Sequence, residues 1–317
     1  MTSRRQLFTA AAGGLLVAGC GARTVTTAPM YRWRFVDDLG KTVVSPDRPR
    51  KVLCYLNLAA ALWDYGVRCA GTYAVTAGDR STSGNLDRTV TPSFGDSWGE
   101  LKVEKVLAAG IDLVIVGRMR GAALLTDYDL GAVSAVLPVV NLEMHAHPAS
   151  RTLARVADLA ASLGGRSAQA SADAQRPGFH AALTDFTASV RNPATARTAF
   201  VAARPHTMDV ASPAYPIVAL AGESGLPVAT LEPAGARYST SLSWENADRC
   251  RADLLLLDRR PYSQRAVQLA ANPMWTTLPA VRAHQVGEWN PEPVLSWSGM
   301  AAEIRRLAAV VGRARRL

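Results

Sequence analysis

Side chains that could support catalysis or hold a metal ion are few in this sequence. The segment Gly222-Glu223-Ser224-Gly225-Leu226 approaches the G-x-S-x-G motif of α/β hydrolases, but its second glycine stands one position too early. There is no P-loop and no strong G-x-G-x-x-G motif. Of the histidines, only His145 and His147 lie close together, and no acidic, histidine-rich loop accompanies them. We therefore expect no catalytic residue, no cofactor and no bound bare metal ion.

The most specific chemical motif lies at the N-terminus. Leu16-Val17-Ala18-Gly19-Cys20 is typical of a bacterial lipoprotein signal, in which the Cys20 thiol receives a diacylglycerol. Ser3-Arg4-Arg5-Gln6-Leu7-Phe8 is similar to a twin-arginine export motif. We predict a signal peptide at residues 1–19, followed by the lipidated cysteine and a flexible tether at residues 20–31. The protein is then expected to be extracytoplasmic and lipid-anchored to the outer face of the bacterial cell membrane.

Three cysteines remain after lipidation: Cys54, Cys69 and Cys250. Cys54 ends one predicted strand and Cys69 begins the next. A parallel crossover would place these two points at opposite ends of the sheet, too far apart for a disulfide. We therefore expect three buried, free thiols.

Two acidic residues recur at the same spacing in both halves of the chain. Glu104 is followed by seven residues, Asp112 and an apolar run, and Glu245 is followed by seven residues, Asp253 and another apolar run. Each unit predicts a short helix with an acid in its first turn, where the helix dipole favours it, and then a buried parallel strand. The repeat indicates two similar lobes.

A long helix between the halves is predicted at residues 166–192. Its apolar residues recur at three-, four- or seven-residue spacing, which places them on one face. Pro177-Gly178 lies inside this segment, and we expect a kink or a break there because proline removes a backbone hydrogen bond. Two short surface helices in one domain are the alternative.

Strand and helix patterns alternate on both sides of this helix, which predicts two α/β lobes with parallel sheets. A β-hairpin is expected at residues 32–46, with glycine in its turn. The predicted boundaries are an N-terminal lobe at 32–150, a connecting helical segment at 151–195 and a C-terminal lobe at 196–317. Core strands are expected at 51–56, 67–73, 113–116, 139–142, 198–202, 228–231, 254–257 and 285–289.

The composition fits a globular protein that binds no nucleic acid. Of 317 residues, 49% are hydrophobic and 19% are charged. Basic residues exceed acidic ones by 35 to 26, but the excess is scattered arginine, without a basic helix or a zinc-finger signature.

Several segments in order resemble the iron-siderophore and cobalamin substrate-binding proteins of ABC importers, most closely the ferric-siderophore binders. They are the hairpin that ends at Pro46, the Glu104 unit, Val136-Leu137-Pro138-Val139-Val140, the Glu245 unit, Asn272-Pro273-Met274-Trp275 and Leu278-Pro279-Ala280-Val281-Arg282-Ala283. The resemblance covers residues 32–312. It implies two Rossmann-like lobes joined by a single long α-helix, with the ligand held between them.

The same resemblance implies how the protein is used. A ferric siderophore would be captured in the cleft and delivered to an ABC permease dimer with its ATPase, by a monomer. Haem or cobalamin is the alternative ligand within the family, and an exported α/β hydrolase is the alternative of another class. One surface glutamate on each lobe would dock on the permease, and Glu104 and Glu245 match those positions, although both could simply be helix-start acids.

The resemblance places the ligand where strand ends of both lobes face the cleft. Arginine side chains would bind the oxygen anions around iron, and aromatic faces would pack on the periphery of the chelate. Trp98 stands where hydroxamate-binding relatives carry an arginine, so the site is not a copy of theirs. The candidates are Tyr55, Tyr73, Trp98, Arg118 and Arg120 in the first lobe and Arg204, Arg237, Tyr238, Arg259 and Trp297 in the second.

Overall fold

The computed structural model describes residues 32–73, 83–95, 100–146, 148–192, 194–231 and 238–317. The predicted signal peptide, Cys20 and tether, together with Trp98, Arg237 and His147, lie outside these residues. No helix among the described residues is both long and apolar enough to cross a membrane.

The chain begins with the predicted β-hairpin. Strands β1 (Trp33–Val36) and β2 (Thr42–Ser45) pair antiparallel. Gly40 lies in the turn with φ 79°, a conformation that favours glycine. The buried carboxylate of Asp37 accepts hydrogen bonds from the backbone N–H groups of Leu39 and Lys41 and so holds the turn.

A parallel sheet forms the N-terminal lobe. Its strands run in the order β4, β3, β5, β7, all parallel, and the two-residue strand β6 pairs antiparallel with the end of β5. The elements are β3 (Val52–Tyr55), α1 (Leu56–Asp64), β4 (Gly71–Tyr73), α2 (Val103–Ala108), β5 (Leu113–Met119), β6 (Ala122–Ala123), α3 (Asp127–Ser134) and β7 (Val139–Glu143).

The connecting helix α4 (Ala149–Val190) is interrupted at Gly165 and not at Pro177. Gly165 has φ 66° and ψ −148°, which is outside the helical region, whereas the backbone through Pro177 stays helical. Pro177 is exposed, so the carbonyl that loses its helical partner can bind water. Of the predicted kink or break at Pro177-Gly178, the break is therefore wrong. The interruption lies at Gly165, directly before the predicted helix at residues 166–192.

The C-terminal lobe contains a mixed sheet, so the prediction of a fully parallel second lobe is wrong. Its order is β10 (Ser239–Ser243), β9 (Thr207–Ala211), β8 (Thr198–Ala203), β11 (Leu254–Asp258) and β12 (Val286–Trp289). Strand β9 runs antiparallel to both of its neighbours. The turn between β8 and β9 is too short for the crossover that a parallel pair needs. The predicted strand at residues 228–231 is reduced to a single bridge between Thr198 and Val228.

The C-terminal elements are β8 (Thr198–Ala203), β9 (Thr207–Ala211), α5 (Pro216–Glu223), β10 (Ser239–Ser243), a 3₁₀ helix (Trp244–Arg249), β11 (Leu254–Asp258), α6 (Ala266–Leu269), α7 (Pro273–Thr277), α8 (Pro279–Arg282), β12 (Val286–Trp289) and α9 (Trp297–Val311). The strands β9 and β10 were not predicted. Two separate sheets joined by one long helix confirm the predicted α/β fold class.

One continuous apolar core runs from the N-terminal lobe along α4 into the C-terminal lobe. Phe179 and Phe186 of α4 are fully buried, as are Met300 and Ile304 of α9. A second apolar cluster packs on the other side of the C-terminal sheet. The connecting helix is therefore part of the core of the protein and not a surface link.

Cys54, Cys69 and Cys250 are buried free thiols, as predicted. The prediction that Cys54 and Cys69 lie at opposite ends of the sheet is wrong, however. Burial first, and then hydrogen bonding to Cys69, raises the pKa of Cys54, so the two side chains are in contact. Because β4 begins only at Gly71, Cys69 lies in the preceding connection and not at the start of the strand.

The aspartates of the internal repeat have the same role in both lobes. Asp112 accepts hydrogen bonds from the backbone N–H groups of Arg50 and Lys51, at 2.8 and 3.0 Å, just before β3. Asp253 accepts from the N–H of Arg197, at 2.7 Å, just before β8. Each carboxylate therefore fixes the start of the neighbouring core strand.

Asp112→Asn is expected to lower the free energy of unfolding by about 1–3 kcal/mol, because it weakens two hydrogen bonds to a charged acceptor. Chemical denaturation measures this change. Asp185→Asn, at an exposed position on α4, is the matched control and should shift stability by no more than about 0.5 kcal/mol. Equal effects of the two substitutions would show that Asp112 does not hold the strand.

Candidate binding cleft

The carboxyl ends of β3 and β7 in the first sheet and of β12 in the second lie at a cleft between the lobes, together with the start of β10. Tyr55, at the end of β3, donates a hydrogen bond to Glu292 Oε2, just after β12, at 3.3 Å. His145, two residues beyond β7, lies 3.0 Å from the Tyr238 hydroxyl through Nδ1. The two lobes therefore contact each other through polar side chains where open α/β sheets usually bind ligands.

An aromatic cluster lines the cleft near His145. The ring of Tyr238 lies 5.3 Å from that of His145 and 5.0 Å from that of Tyr215, and Tyr215 packs edge-on against Trp289 at 5.3 Å. Burial raises the pKa of both Tyr215 and Tyr238. The cluster thus offers apolar ring surface and protonated hydroxyl groups.

A charged cluster follows β11. Arg260 lies 2.7 Å from Asp258, which is completely buried, and 2.8 Å from Glu292. Burial alone lowers the pKa of Arg260, but the hydrogen bonds and charges of the two acids outweigh it and raise that pKa. Asp258 also accepts a hydrogen bond from the Tyr262 hydroxyl at 2.9 Å. The guanidinium is therefore held in a fixed orientation.

Tyr262 lies between two arginines. The guanidinium of Arg204 is 4.6 Å from the centroid of the Tyr262 ring, and that of Arg260 is 4.9 Å from it. Nε of Arg204 donates to Asp209 at 2.6 Å. With 43% of its surface exposed, Tyr262 is an aromatic face flanked by cations, which suits an apolar ligand edge beside anionic oxygens.

Glu143 organises the N-terminal wall. Its two carboxylate oxygens accept hydrogen bonds from the backbone N–H groups of Arg120 and Gly121, both at 2.9 Å. Arg120 has φ 53°, an uncommon conformation for a residue other than glycine. Arg118 bonds to Asn141 and to the Gly121 carbonyl, and it lines a groove of about 590 Å³ beside the β1–β2 turn.

Six of the predicted ligand residues lie within two residues of the end of a strand. They are Tyr55, Arg118, Arg120, Arg204, Tyr238 and Arg259. Arg259 lines a cavity of about 350 Å³ together with Glu303 and Arg306. Trp98 and Arg237 lie outside the described residues.

Three candidates need correction. Tyr73 has no exposed surface, and its hydroxyl donates to the Ile115 carbonyl inside the N-terminal sheet. Trp297 is 3% exposed and packs against Phe179 and His180 of α4. Tyr55 is also 3% exposed and packs edge-on against Tyr73, so it joins the two lobes through Glu292 and presents almost no surface to a ligand.

Sequence reasoning missed six side chains of the cleft: Glu143, His145, Tyr215, Arg260, Tyr262 and Glu292. Glu143, His145 and Glu292 lie at the end of a strand or up to three residues beyond one, so the rule that selected Arg118 could also have found them. Tyr215 and Tyr262 carry no such signal, because they reach the cleft through loops.

Glu104 and Glu245 are both exposed, each in the first turn of a short helix. The helix at Glu245 is a 3₁₀ helix, where its own backbone N–H and the Ser243 side chain lower the pKa of the carboxyl. Among the described residues, no three His, Cys, Asp or Glu side chains converge as a metal site would require.

Solved structures of binding proteins match this architecture over most of its length. DesE, a ferric-siderophore receptor protein from Streptomyces coelicolor, is 25% identical with a TM-score of 0.77, and the match covers 89% of this chain and 99% of DesE. The chain has the fold of ferric-siderophore-binding proteins. The resemblance inferred from the sequence is thereby confirmed.

More distant structures of this type show the same fold. The triscatecholate siderophore binding protein FeuA from Bacillus subtilis is 16% identical, with a TM-score of 0.64 over 88% of this chain and 96% of FeuA. Siderophore binding protein FhuD from Vibrio cholerae, bound to Fe3+–Desferal, is 16% identical, with a TM-score of 0.60 over 84% of this chain and all of FhuD. No protein-family model and no curated protein matches the sequence.

Proposed function

We propose that this protein is an extracytoplasmic substrate-binding lipoprotein that captures a ferric siderophore between its lobes and delivers it to an ABC permease. The observation that carries the proposal is the meeting of strand ends from two helix-linked sheets at a cleft lined by oriented arginines and tyrosines. The near-complete overlap with a ferric-siderophore receptor supports it. The matching structures reported above are binding and receptor proteins, which favours this function over an exported hydrolase.

The ligand site of the proposal combines both walls. Arg120, Arg204 and Arg260 supply hydrogen-bond donors for the oxygens around iron, and the carboxylates beside them hold Arg204 and Arg260 in place. Tyr238 and Tyr262 pack against the apolar periphery of the chelate. The shared core of α4 and α9 resists bending, so lobe closure on the ligand is small.

Delivery in the proposal uses one acidic contact on each lobe. Glu104 and Glu245 are exposed at equivalent places of the internal repeat, where they can pair with arginines of a permease dimer. Cys20 carries the lipid that keeps the monomer near its permease.

Ligand binding is tested by quenching of tryptophan fluorescence with ferric siderophores. Arg204→Ala and Tyr262→Ala are each expected to weaken binding about 10-fold, the loss of roughly 1.4 kcal/mol of contact. Arg166→Ala, at an exposed position on α4, should leave the affinity unchanged. Tighter binding of haem or cobalamin than of any ferric siderophore, or ester hydrolysis without quenching, would overturn the proposal.

Docking is tested by uptake of the iron chelate in cells that carry the protein and its permease. Glu104→Ala together with Glu245→Ala should lower the uptake rate about 10-fold, because charged contacts steer and hold such complexes, without changing ligand affinity. Glu223→Ala, at the exposed end of α5, is the matched control and should transport normally. Normal uptake by the double variant would remove both residues from the docking surface.

Lipid anchoring is tested by fractionation. Cys20→Ser is expected to move the protein from the membrane fraction to the soluble extracytoplasmic fraction, because the variant has no thiol to acylate. Cys250→Ser keeps Cys20 and should remain with the membrane. A Cys20→Ser protein that stays membrane-bound would show that another element holds it there.

A further inference from the structure

Arginines of the C-terminal wall are each matched by carboxylates. Arg260 contacts Asp258 and Glu292, and Arg204 contacts Asp209. Arg259 lies 3.8 Å from Glu288 of the neighbouring strand. Arg265 lies 3.6 Å from the same Glu288, so four arginines meet four acids and this wall carries no net charge.

The N-terminal wall carries a small positive excess. Arg118 and Glu143 are register partners across the β5–β7 pair, and Arg120 bonds to the same carboxylate through its backbone. Two arginines and one glutamate leave one net positive charge.

Taken together, the two walls carry one net positive charge. Most of the formal charge of +9 of the whole chain therefore lies elsewhere. Three segments outside the described residues adjoin these walls in sequence: 74–82, 96–99 and 232–237. Together they contain two arginines and three acids, so their composition adds no positive excess.

We infer that the ligand is a neutral or weakly charged ferric chelate, of which an iron(III) trihydroxamate is the common chemical class, and not a triscatecholate. Three hydroxamates neutralise iron(III), whereas three doubly charged catecholates leave the complex with three negative charges. The inference rests on the proposed function, because it concerns the ligand of the same cleft.

The physical reason lies in the buried acids. A trianion needs several cations whose charge is not already compensated, and the arginines of the C-terminal wall are compensated by Asp209, Asp258, Glu288 and Glu292. Asp258 is fully buried and Glu292 is mostly buried, and both are paired with Arg260, so this guanidinium has no uncompensated charge for an incoming anion. A neutral chelate needs no such charge and can still accept hydrogen bonds from the oriented guanidinium groups.

The test uses the full chain as the cell processes it and a series of iron chelates that differ in charge. Ferrioxamine B, its N-acetyl derivative and its N-succinyl derivative are ferric trihydroxamates with charges of about +1, 0 and −1 at neutral pH, and ferric enterobactin is a triscatecholate trianion. We expect the N-acetyl chelate to bind at least about 100-fold more tightly than the trianion, as differential charge contacts allow. Its affinity should change little between low and high salt.

Asp209→Asn tests the effect of the charge of the wall while nearly keeping its shape. It removes one carboxylate from the wall with nearly the same side-chain size and leaves Arg204 uncompensated. The preference for the neutral chelate over the trianion should then fall about 3- to 10-fold, which corresponds to one added net charge near a protein surface. Asp185→Asn on α4 should leave the ratio unchanged.

Each outcome decides between the claims. Tighter binding of the trianion, or an unchanged ratio in Asp209→Asn, overturns the charge inference and leaves the proposed function standing. Binding of no ferric chelate of any charge overturns the proposed function itself.

Discussion

Packing between the connecting helix and the C-terminal helix is the contact on which the rest of the structure depends. The Phe179 ring of α4 lies 5.1 Å from that of Trp297, and the buried face of α4 also contains the small residues Ala168 and Ala172. Alanine allows two helices to approach closely, and a continuous apolar core makes their separation costly. Because α4 leaves the first lobe and α9 ends the second, this seam sets the position of one sheet against the other.

Polar contacts at the start of α9 support the same seam. The buried amide of Asn57 donates to the carbonyls of Glu292 and Pro293, at 3.0 and 2.7 Å, and Tyr65 accepts a hydrogen bond from the Trp297 backbone. These bonds lie directly beside Glu292, which reaches the cleft. The segment that carries Glu292 is thus hydrogen-bonded to the opposite lobe.

Charge compensation within the cleft comes from neighbouring strands of the C-terminal sheet. A buried guanidinium such as that of Arg260 is stable only beside carboxylates, and Asp258 and Glu292 meet it because β11 and β12 pair side by side. The same carboxylates orient the donors and cancel their charge. The site therefore presents oriented hydrogen-bond donors with little net charge.

The sequence by itself determined the two-lobe α/β class, the helix between the lobes and most of the core strands. These properties follow from local patterns: apolar periodicity, turn glycines and the acidic units at Glu104 and Glu245. The sequence did not show β9 and β10, and it could not set the direction of β9, because that direction depends on the strands with which β9 pairs.

Only the tertiary structure decided which side chains meet. Tyr55 and Tyr73 end neighbouring strands, yet Tyr73 turns into the sheet and Tyr55 reaches Glu292 of the other lobe. Tyr215, Arg260 and Tyr262 are distant from the N-terminal wall in sequence and join the site through the folding of loops. The periodicity of apolar residues predicts which face of a helix or strand is buried. It does not predict which element covers that face, because this depends on long-range packing such as that of α4 against α9.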